Sequence, residues 1–77
     1  MSAMLTNIAS VIREAGEVEG EIPANVDIYT DLGVESVNAI GILFALEEKF
    51  GISIDDADFI KARTLTGLTE LVTAAGV

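Results

Sequence analysis

The side chain with the clearest chemical potential is the hydroxyl of Ser36, which stands in the stretch TDLGVESVNAIG between an acidic residue and an apolar run. A nucleophilic serine needs a base within hydrogen-bond distance and donors that stabilise an oxyanion. The chain contains no His and no Cys, and Glu35 would be a weak base unless it were strongly desolvated. Lys49 lies about four turns further along the predicted helix, too far to touch Ser36. The sequence therefore predicts that Ser36 does not catalyse a reaction by itself.

Two roles remain for Ser36. It can accept a modification from another enzyme, because a phosphate ester at the start of a helix would meet free N–H groups and a favourable dipole. It can also simply cap the following helix, since serine is among the best N-cap residues. The local pattern leaves both roles open.

The composition limits the class of protein and its partners. The chain has 77 residues, enough for one domain spanning 1–77, and its 51% hydrophobic content is sufficient for a core. The net charge of −9 repels nucleic acid and anionic lipid, so that basic protein surfaces are the expected partners. The first residues lack the cationic region of a signal peptide, and no apolar run reaches the roughly 18 residues of a membrane span. We expect a soluble, cytoplasmic monomer without a metal site or membrane insertion.

Periodicity predicts a first helix followed by a long loop. The helix is indicated by apolar residues at helical spacing, with Ser2 as a cap and Gly16 just past its end. These apolar residues are Met4, Leu5, Ile8, Val11, Ile12 and Ala15. The loop runs from Gly16 to Glu35, with turn signals at Pro23 and at the Asp31-Leu32-Gly33 corner. We expect it to be ordered and attached to the core by Val26, Ile28 and Leu32.

The second helix is predicted to begin at or beside Ser36, to run to about Phe50 and to end at Gly51. At about 100° per residue its apolar residues fall into two stripes, centred about 140° apart. The core stripe comprises Ala39, Ile42, Leu43, Leu46 and Phe50. The outer stripe comprises Val37, Ile40 and Phe44, flanked by Glu47 and Glu48. A small domain cannot easily bury both stripes, so we expect the outer stripe to be exposed and used for binding. The alternative is a central helix covered all round.

Two further helices complete the predicted fold. Asp55, Asp56 and Asp58 favour the N-terminus of a short third helix that contains Phe59 and Ile60. A calcium loop is a poor alternative, because the required glycine and terminal glutamate are missing. Thr64 caps a last helix whose apolar face is formed by Leu65, Leu68, Leu71, Val72 and Ala75. The fold class is therefore all-α: a small bundle of three main helices and one short helix.

The stretch DLGVESVNAIGILFALEEKFGISI resembles the signature region of acyl carrier proteins, in which D-x-G-x-D-S-L precedes a helix ending in A-L-E-E-x-F. The resemblance extends over essentially the whole chain. It includes the first helix, the long loop, the serine, ALEEKFGI and a closing helix after RTLTGL. The sequence is therefore identified as a member of the acyl carrier protein family.

The resemblance implies that a phosphopantetheinyl transferase attaches 4′-phosphopantetheine to Ser36 through a phosphodiester. The thiol of this arm would carry acyl groups as thioesters, and the protein would present them to synthases and transferases that have basic docking patches, without being an enzyme itself. The positions matching the partner-binding surface are Glu35, Val37, Ile40, Phe44, Glu47, Glu48 and Asp56. Those matching the lining of an acyl pocket are Ile28, Leu46, Phe50, Ile54, Phe59, Ile60 and Leu68. For any one of these seven, ordinary core packing is the alternative.

The chain departs from the family pattern at several positions. Glu35 and Val37 replace the usual Asp and Leu, which preserves charge and apolar character. Asn38 and Gly41 stand where many carriers of fatty acid synthesis have acids, so partners that recognise charge there should bind weakly. Gly41 also costs the helix roughly 1 kcal/mol relative to Ala, which suggests close approach by a partner or the arm. A specialised carrier of a secondary or lipid-modifying pathway therefore rivals a general role in fatty acid biosynthesis.

Two other functions stay open. An acidic helical interaction domain without a prosthetic group would use the outer stripe only for docking. An aminoacyl or peptidyl carrier is related, but such modules usually have G-G-x-S at the serine, and GVES fits that pattern less well.

Overall fold

The computed structural model describes residues 3–76, and all regular secondary structure in that range is helical. The chain forms α1 (Ala3–Ala15), α2 (Ser36–Phe50), α3 (Asp56–Lys61) and α4 (Leu65–Ala74). Helix α1 packs against both α2 and α4, and α3 packs against α4. The predicted bundle of three main helices and a short one is confirmed. The proposed Ser2 cap lies outside the described residues.

The core of the bundle is built from apolar side chains alone. Within residues 3–76, no polar or charged side chain is buried. The largest fully buried side chains are Ile8, Ile12, Ile28, Ile42, Leu46, Leu65, Leu68 and Val72. Because burying one such side chain stabilises a fold by roughly 1.5–3 kcal/mol, α1, α2, α4 and the long loop hold one another together through this core.

Helix α2 separates its two apolar stripes as predicted. Ile42, Leu43 and Leu46 of the core stripe are buried, and Ala39 and Phe50 are half-buried. The exposed fractions of the outer stripe are 74% for Val37, 57% for Ile40 and 61% for Phe44. The alternative of a helix covered all round is therefore wrong. Gly51 ends α2 in the left-handed conformation (φ 64°), which glycine adopts without steric cost.

Side-chain caps begin the last two helices. Asp55 Oδ1 accepts hydrogen bonds from the N–H groups of Ala57 (2.9 Å) and Asp58 (3.3 Å) at the start of α3. Thr64 Oγ1 accepts one from the N–H of Gly67 (2.9 Å) at the start of α4. The predicted cap at Thr64 is confirmed, and of the three acids predicted to favour the start of α3 it is Asp55 that caps the helix. Among residues 3–76, no group of three or more His, Cys, Asp or Glu side chains is arranged to hold a metal ion.

The long connection from residue 16 to residue 35 contains no helix but packs onto the core. Ile28 is buried and Leu32 is half-buried against the core, as predicted, whereas Val26 is half-buried and is not among the residues packed on the core. Two residues that the sequence did not single out, Ile22 and Val34, are also buried. The apolar contacts of the loop are thus spread along its length. Within residues 3–76, no helix combines the length and apolar content needed to cross a lipid bilayer.

Polar contacts join the long loop to the connection between α3 and α4. Asp27 accepts two hydrogen bonds from the guanidinium of Arg63, from Nε to Oδ2 (2.6 Å) and from Nη2 to Oδ1 (3.3 Å). The same guanidinium lies over the ring of Tyr29, with Cζ 4.7 Å from the ring centroid. The N–H of Ile28 donates to the carbonyl oxygen of Arg63 (2.8 Å). Asp27, Tyr29 and Arg63, here called the Asp27 cluster, hold two segments that are far apart in the sequence.

The Asp27 cluster should make the fold sensitive to acid. The hydrogen bonds from Arg63, and then those from the Thr30 and Tyr29 N–H groups, lower the pKa of Asp27 from 3.8 to about 2. A lowered pKa in the folded state stabilises the fold above the unfolded-state value, and this contribution is lost as the pH falls towards about 2. We expect Asp27→Asn to lower the thermal midpoint at neutral pH, and the difference from wild type to shrink between about pH 4 and about pH 2.

Glu19→Gln is the matched control for this experiment, because it removes one negative charge from the same loop at an exposed position. It should leave the thermal midpoint nearly unchanged. A difference between Asp27→Asn and wild type that is as large in strong acid as at neutral pH would contradict the assigned role of the Arg63 pair.

Candidate functional site

Ser36 is the first residue of α2, is exposed and is not the cap of the helix. The N-cap is Glu35, whose backbone is extended (φ −79°, ψ 148°) and whose side chain makes no capping hydrogen bond. The carbonyl oxygen of Glu35 accepts from the N–H groups of Asn38 (2.9 Å) and Ala39 (3.1 Å). The alternative that Ser36 merely caps the helix is therefore wrong, because its backbone is already helical.

The surroundings of Ser36 fit a phosphate ester. Within residues 3–76, its hydroxyl makes no hydrogen bond, and the N–H groups of Ser36 and Val37 have no acceptor. Free N–H groups at the start of a fifteen-residue helix, together with the helix dipole, are suited to bind phosphate oxygens. The donor set at this helix start thus matches the phosphodiester of a phosphopantetheine arm.

An open groove of about 550 Å³ lies beside Ser36. One wall comes from α2, another from α3, and the remainder from the loop and the α3–α4 connection. The lining residues are Tyr29, Ser36, Ala39, Ile40, Leu43, Phe44, Asp56, Phe59, Ile60 and Arg63. Grooves of this volume with mostly apolar linings and a few polar groups are typical of small-molecule sites. We call it the α2–α3 groove.

Two of the seven residues predicted to line an acyl pocket, Phe59 and Ile60, line the α2–α3 groove. Phe59 is buried, whereas Ile60 is 66% exposed. The other five do not line the groove: Ile28, Leu46, Ile54 and Leu68 are buried in the core and Phe50 is half-buried against it. Core packing, the alternative considered for each of these residues, describes where the structure places those five.

The seven residues predicted to contact partners differ in accessibility. All are exposed except Glu47, and the exposed ones are Glu35, Val37, Ile40, Phe44, Glu48 and Asp56. Glu47 is half-buried, and its Oε2 accepts a hydrogen bond from the N–H of Ile54 (2.9 Å). One oxygen of Glu47 therefore holds the connection between α2 and α3.

The sequence did not single out Tyr29 or Arg63, although both line the α2–α3 groove. It assigned Ala39 and Leu43 to the core stripe, but they also contribute to the groove wall. An apolar period identifies the inward side of a helix and does not tell which of its residues border a cavity. For Arg63, the only signal was a basic residue between two predicted helices.

The fold and the site together define a small helical bundle that displays a serine hydroxyl at the start of its second main helix, next to an apolar groove. Similar proteins share this architecture. The chain is 26% identical over 70 residues to an acyl carrier protein of Thermotoga maritima, covering 90% of this chain and 86% of that one. A solved structure of a candidate acyl carrier protein from Mycobacterium tuberculosis superimposes with a TM-score of 0.86 at 26% identity, covering 94% of this chain and 97% of the other.

A type-II acyl carrier protein of Streptomyces verticillus, involved in bleomycin biosynthesis, superimposes with a TM-score of 0.80 at 26% identity, covering 94% of this chain and 84% of that one. The family model for the phosphopantetheine attachment site matches residues 2–72, and the chain belongs to this family. It is a carrier of the acyl carrier protein type, with phosphopantetheine as cofactor and no enzymatic activity of its own.

Gly41 lies on the exposed side of α2 and has space for a side chain. A Cβ atom there would contact only the Cβ of Ala15, at an ordinary 3.9 Å. Since glycine inside a helix costs roughly 1 kcal/mol relative to alanine, Gly41→Ala is expected to raise the free energy of unfolding by about that amount in chemical denaturation.

Gly33→Ala is the matched control for Gly41→Ala. Nothing lies within 4 Å of a Cβ at Gly33, yet its φ of +77° strains any other residue. This substitution should destabilise the fold by about 1 kcal/mol or more. A destabilised Gly41→Ala variant would contradict the free space seen beside α2.

Proposed function

We propose that Ser36 is the residue to which phosphopantetheine is attached, and that the chain carries acyl groups on this arm. The single observation that supports it best is the combination of exposure and an unused hydroxyl at the start of α2. Ser53 is exposed but lies between α2 and α3. Ser10 is half-buried within α1, and its hydroxyl donates to Glu14 Oε2 (3.2 Å). Of the three, only Ser36 begins a helix beside a groove.

The residues around Ser36 would orient the arm. The N–H groups of Ser36 and Val37 provide donors for the phosphate oxygens, and the dipole of α2 favours their negative charge. When attached, the cofactor supplies a terminal thiol, which this chain otherwise lacks because it has no Cys. Since no side chain of the described residues hydrogen-bonds the Ser36 hydroxyl, a transferase must supply the base that activates it.

We further propose that partner enzymes dock on the outer stripe of α2 and the acids around it. Val37, Ile40 and Phe44 supply apolar contact area, and Glu48 and Asp56 supply exposed negative charge. In such an interface the apolar residues at the centre contribute affinity, and the charged residues at the rim contribute specificity. The expected partners are a phosphopantetheinyl transferase and acyl synthases and transferases with basic docking patches.

We infer a specialised biosynthetic pathway rather than general fatty acid synthesis. Asn38 and Gly41 leave the first half of α2 without acids after Glu35, so a partner that relies on several charges there would bind weakly. The similarity to a carrier involved in bleomycin biosynthesis supports the same inference. The cargo would then be an acyl intermediate of a secondary pathway.

Intact-mass spectrometry tests the attachment. The wild-type protein is incubated with coenzyme A and a promiscuous phosphopantetheinyl transferase, and the modified peptide is sequenced after proteolysis. We expect a gain of one phosphopantetheinyl group, localised to Ser36. Absence of a gain, or its localisation to another residue, would favour an interaction domain that carries no prosthetic group at this serine.

A further inference from the structure

We propose that Tyr29 and Arg63 form a hydrogen-bonding subsite in the wall of the α2–α3 groove, and that it holds a keto or hydroxyl oxygen of the cargo. The preferred cargo would be an oxygenated acyl chain rather than a saturated one. This inference rests on the proposed function, because the cargo must be tethered at Ser36 to reach the groove.

The groove combines an apolar majority with one cationic side chain. The polar or charged members of the lining are Tyr29, Ser36, Asp56 and Arg63. The apolar members are Ala39, Ile40, Leu43, Phe44, Phe59 and Ile60. An ionised Asp56 accepts hydrogen bonds but does not donate them. Tyr29 and Arg63 are therefore the lining side chains, apart from the Ser36 attachment point itself, that can donate to a cargo oxygen.

The guanidinium of Arg63 is held in place and still has donors to spare. Asp27 takes one hydrogen bond from Nε and one from Nη2. The stacking on Tyr29 restricts the guanidinium further. The hydrogen bond from the Ile28 N–H to the Arg63 carbonyl oxygen fixes the backbone from which the side chain extends. A guanidinium has five N–H donors, and within residues 3–76 no acceptor is found for Nη1. A fixed donor with unused N–H groups loses little entropy when it binds an oxygen.

The phenol of Tyr29 is the second donor. Its hydroxyl makes no hydrogen bond within residues 3–76, although the side chain is half-buried beside Arg63. Burial raises the pKa of Tyr29 above its usual range, so the hydroxyl keeps its proton at neutral pH. Tyr29 and Arg63, each with a donor that has no partner in residues 3–76, thus lie side by side in the lining of the same groove.

Charge favours a neutral oxygen over a carboxylate. Asp27 offsets the charge of Arg63 through a direct ion pair, and Asp56 adds negative charge to the same groove. The net charge of −9 further opposes the binding of a carboxylate on the cargo. A keto or hydroxyl group can use the donors without meeting this repulsion. A saturated chain of equal length would displace water from them without replacing its hydrogen bonds, which discriminates against it.

The experiment compares three cargoes of matched length, carried as thioesters on the wild-type protein: saturated, β-hydroxy and β-keto acyl chains. The rate of thioester cleavage by excess dithiothreitol, which takes the acyl group and leaves the keto oxygen intact, is measured and divided by the rate for the same thioester on free pantetheine, which removes intrinsic reactivity. We expect the oxygenated cargoes to be protected about tenfold more than the saturated one, a ratio in the range that one hydrogen-bonded contact gives.

Tyr29→Phe is the decisive variant, because it deletes the hydroxyl and keeps the ring under Arg63. It should lose most of the extra protection of the oxygenated cargoes and leave the saturated cargo unchanged. Ile60→Ala is the matched control: it removes exposed apolar lining and should reduce the protection of all three cargoes alike. Substitution of Arg63 itself is avoided because it would break the Asp27 pair.

Nuclear magnetic resonance of the Arg63 Nε–H group gives an independent readout. Its signal should shift with oxygenated cargo and remain as in the unloaded holo protein with saturated cargo. The proposed subsite would be refuted if the Nε–H signal had the same chemical shift in the unloaded holo protein and with all three cargoes. It would also be refuted if Tyr29→Phe left the protection of the oxygenated cargoes unchanged. Mass spectrometry follows attachment of the arm and of the cargo separately. A failure to attach the arm would contradict the proposed function, whereas a loaded cargo that does not bind Tyr29 and Arg63 would contradict only the subsite.

Discussion

Replacing Ser36 by alanine is expected to abolish attachment of phosphopantetheine while leaving the fold unchanged. The substitution removes the oxygen that would form the phosphodiester, and the chain has no Cys or His to take its place. The hydroxyl is exposed and makes no hydrogen bond within residues 3–76, and alanine is the best helix former. Intact mass after incubation with transferase and coenzyme A should show no gain, and the thermal midpoint should match that of wild type.

Ser53→Ala is the matched control for Ser36→Ala. Ser53 is also exposed, but it lies between α2 and α3 rather than at a helix start. This variant should be loaded at the wild-type rate and to the same extent. If Ser36→Ala still gained the mass of one phosphopantetheinyl group, attachment at Ser36 would be refuted even though the chain belongs to the carrier family.

Replacing Leu46 by alanine should remove much of the stability of the bundle. Leu46 is fully buried in the core stripe of α2, where it packs with side chains of the other elements. Truncating a buried leucine costs about 2–5 kcal/mol, because transfer energy is lost and a cavity remains. A domain of this size has a total stability of only about 4–12 kcal/mol. Chemical denaturation should show a loss in that range, or a variant partly unfolded at room temperature.

Phe44→Ala, on the opposite side of the same helix, is the control for Leu46→Ala and also tests docking. Phe44 is 61% exposed, so the free energy of unfolding should change by no more than about 0.5 kcal/mol. The kcat/KM of the transferase for this carrier should nevertheless fall about tenfold, since truncating a central interface aromatic costs more than about 1 kcal/mol. Equal destabilisation by both substitutions would contradict the division of α2 into two stripes. Unchanged transferase kinetics in Phe44→Ala would contradict docking on the outer stripe.

The helices and their exposed faces were predictable because the relevant information is local. An apolar period of 3.6 residues, acids or hydroxyls at helix starts and a glycine at a helix end are properties of neighbouring residues. These signals located α2 between Ser36 and Gly51, and they identified the outer stripe that the structure leaves exposed. They also identified Thr64 as a cap and placed Asp55 among the acids at the start of α3.

The lining of the groove was only partly predictable. Leu46, Leu68 and Ile60 are all large aliphatic residues with similar sequence signals, yet the first two are fully buried and Ile60 is 66% exposed on the groove. Hydrophobicity shows that a side chain avoids water, but not whether neighbours fill the space around it. That depends on how α3 is placed against α2 and α4, which is a property of the packed bundle.

The sequence by itself determined an acidic helical bundle, a serine at the start of the second main helix and a carrier family, because these depend on composition, periodicity and a contiguous motif. Only the tertiary structure decided that Tyr29 and Arg63 border the same groove as Ser36. Asp27 and Arg63 are separated by 36 positions, and the long loop that carries Asp27 and Tyr29 has no repeating pattern. Its path is decided by which apolar residues reach the core, together with the hydrogen bonds that then become possible.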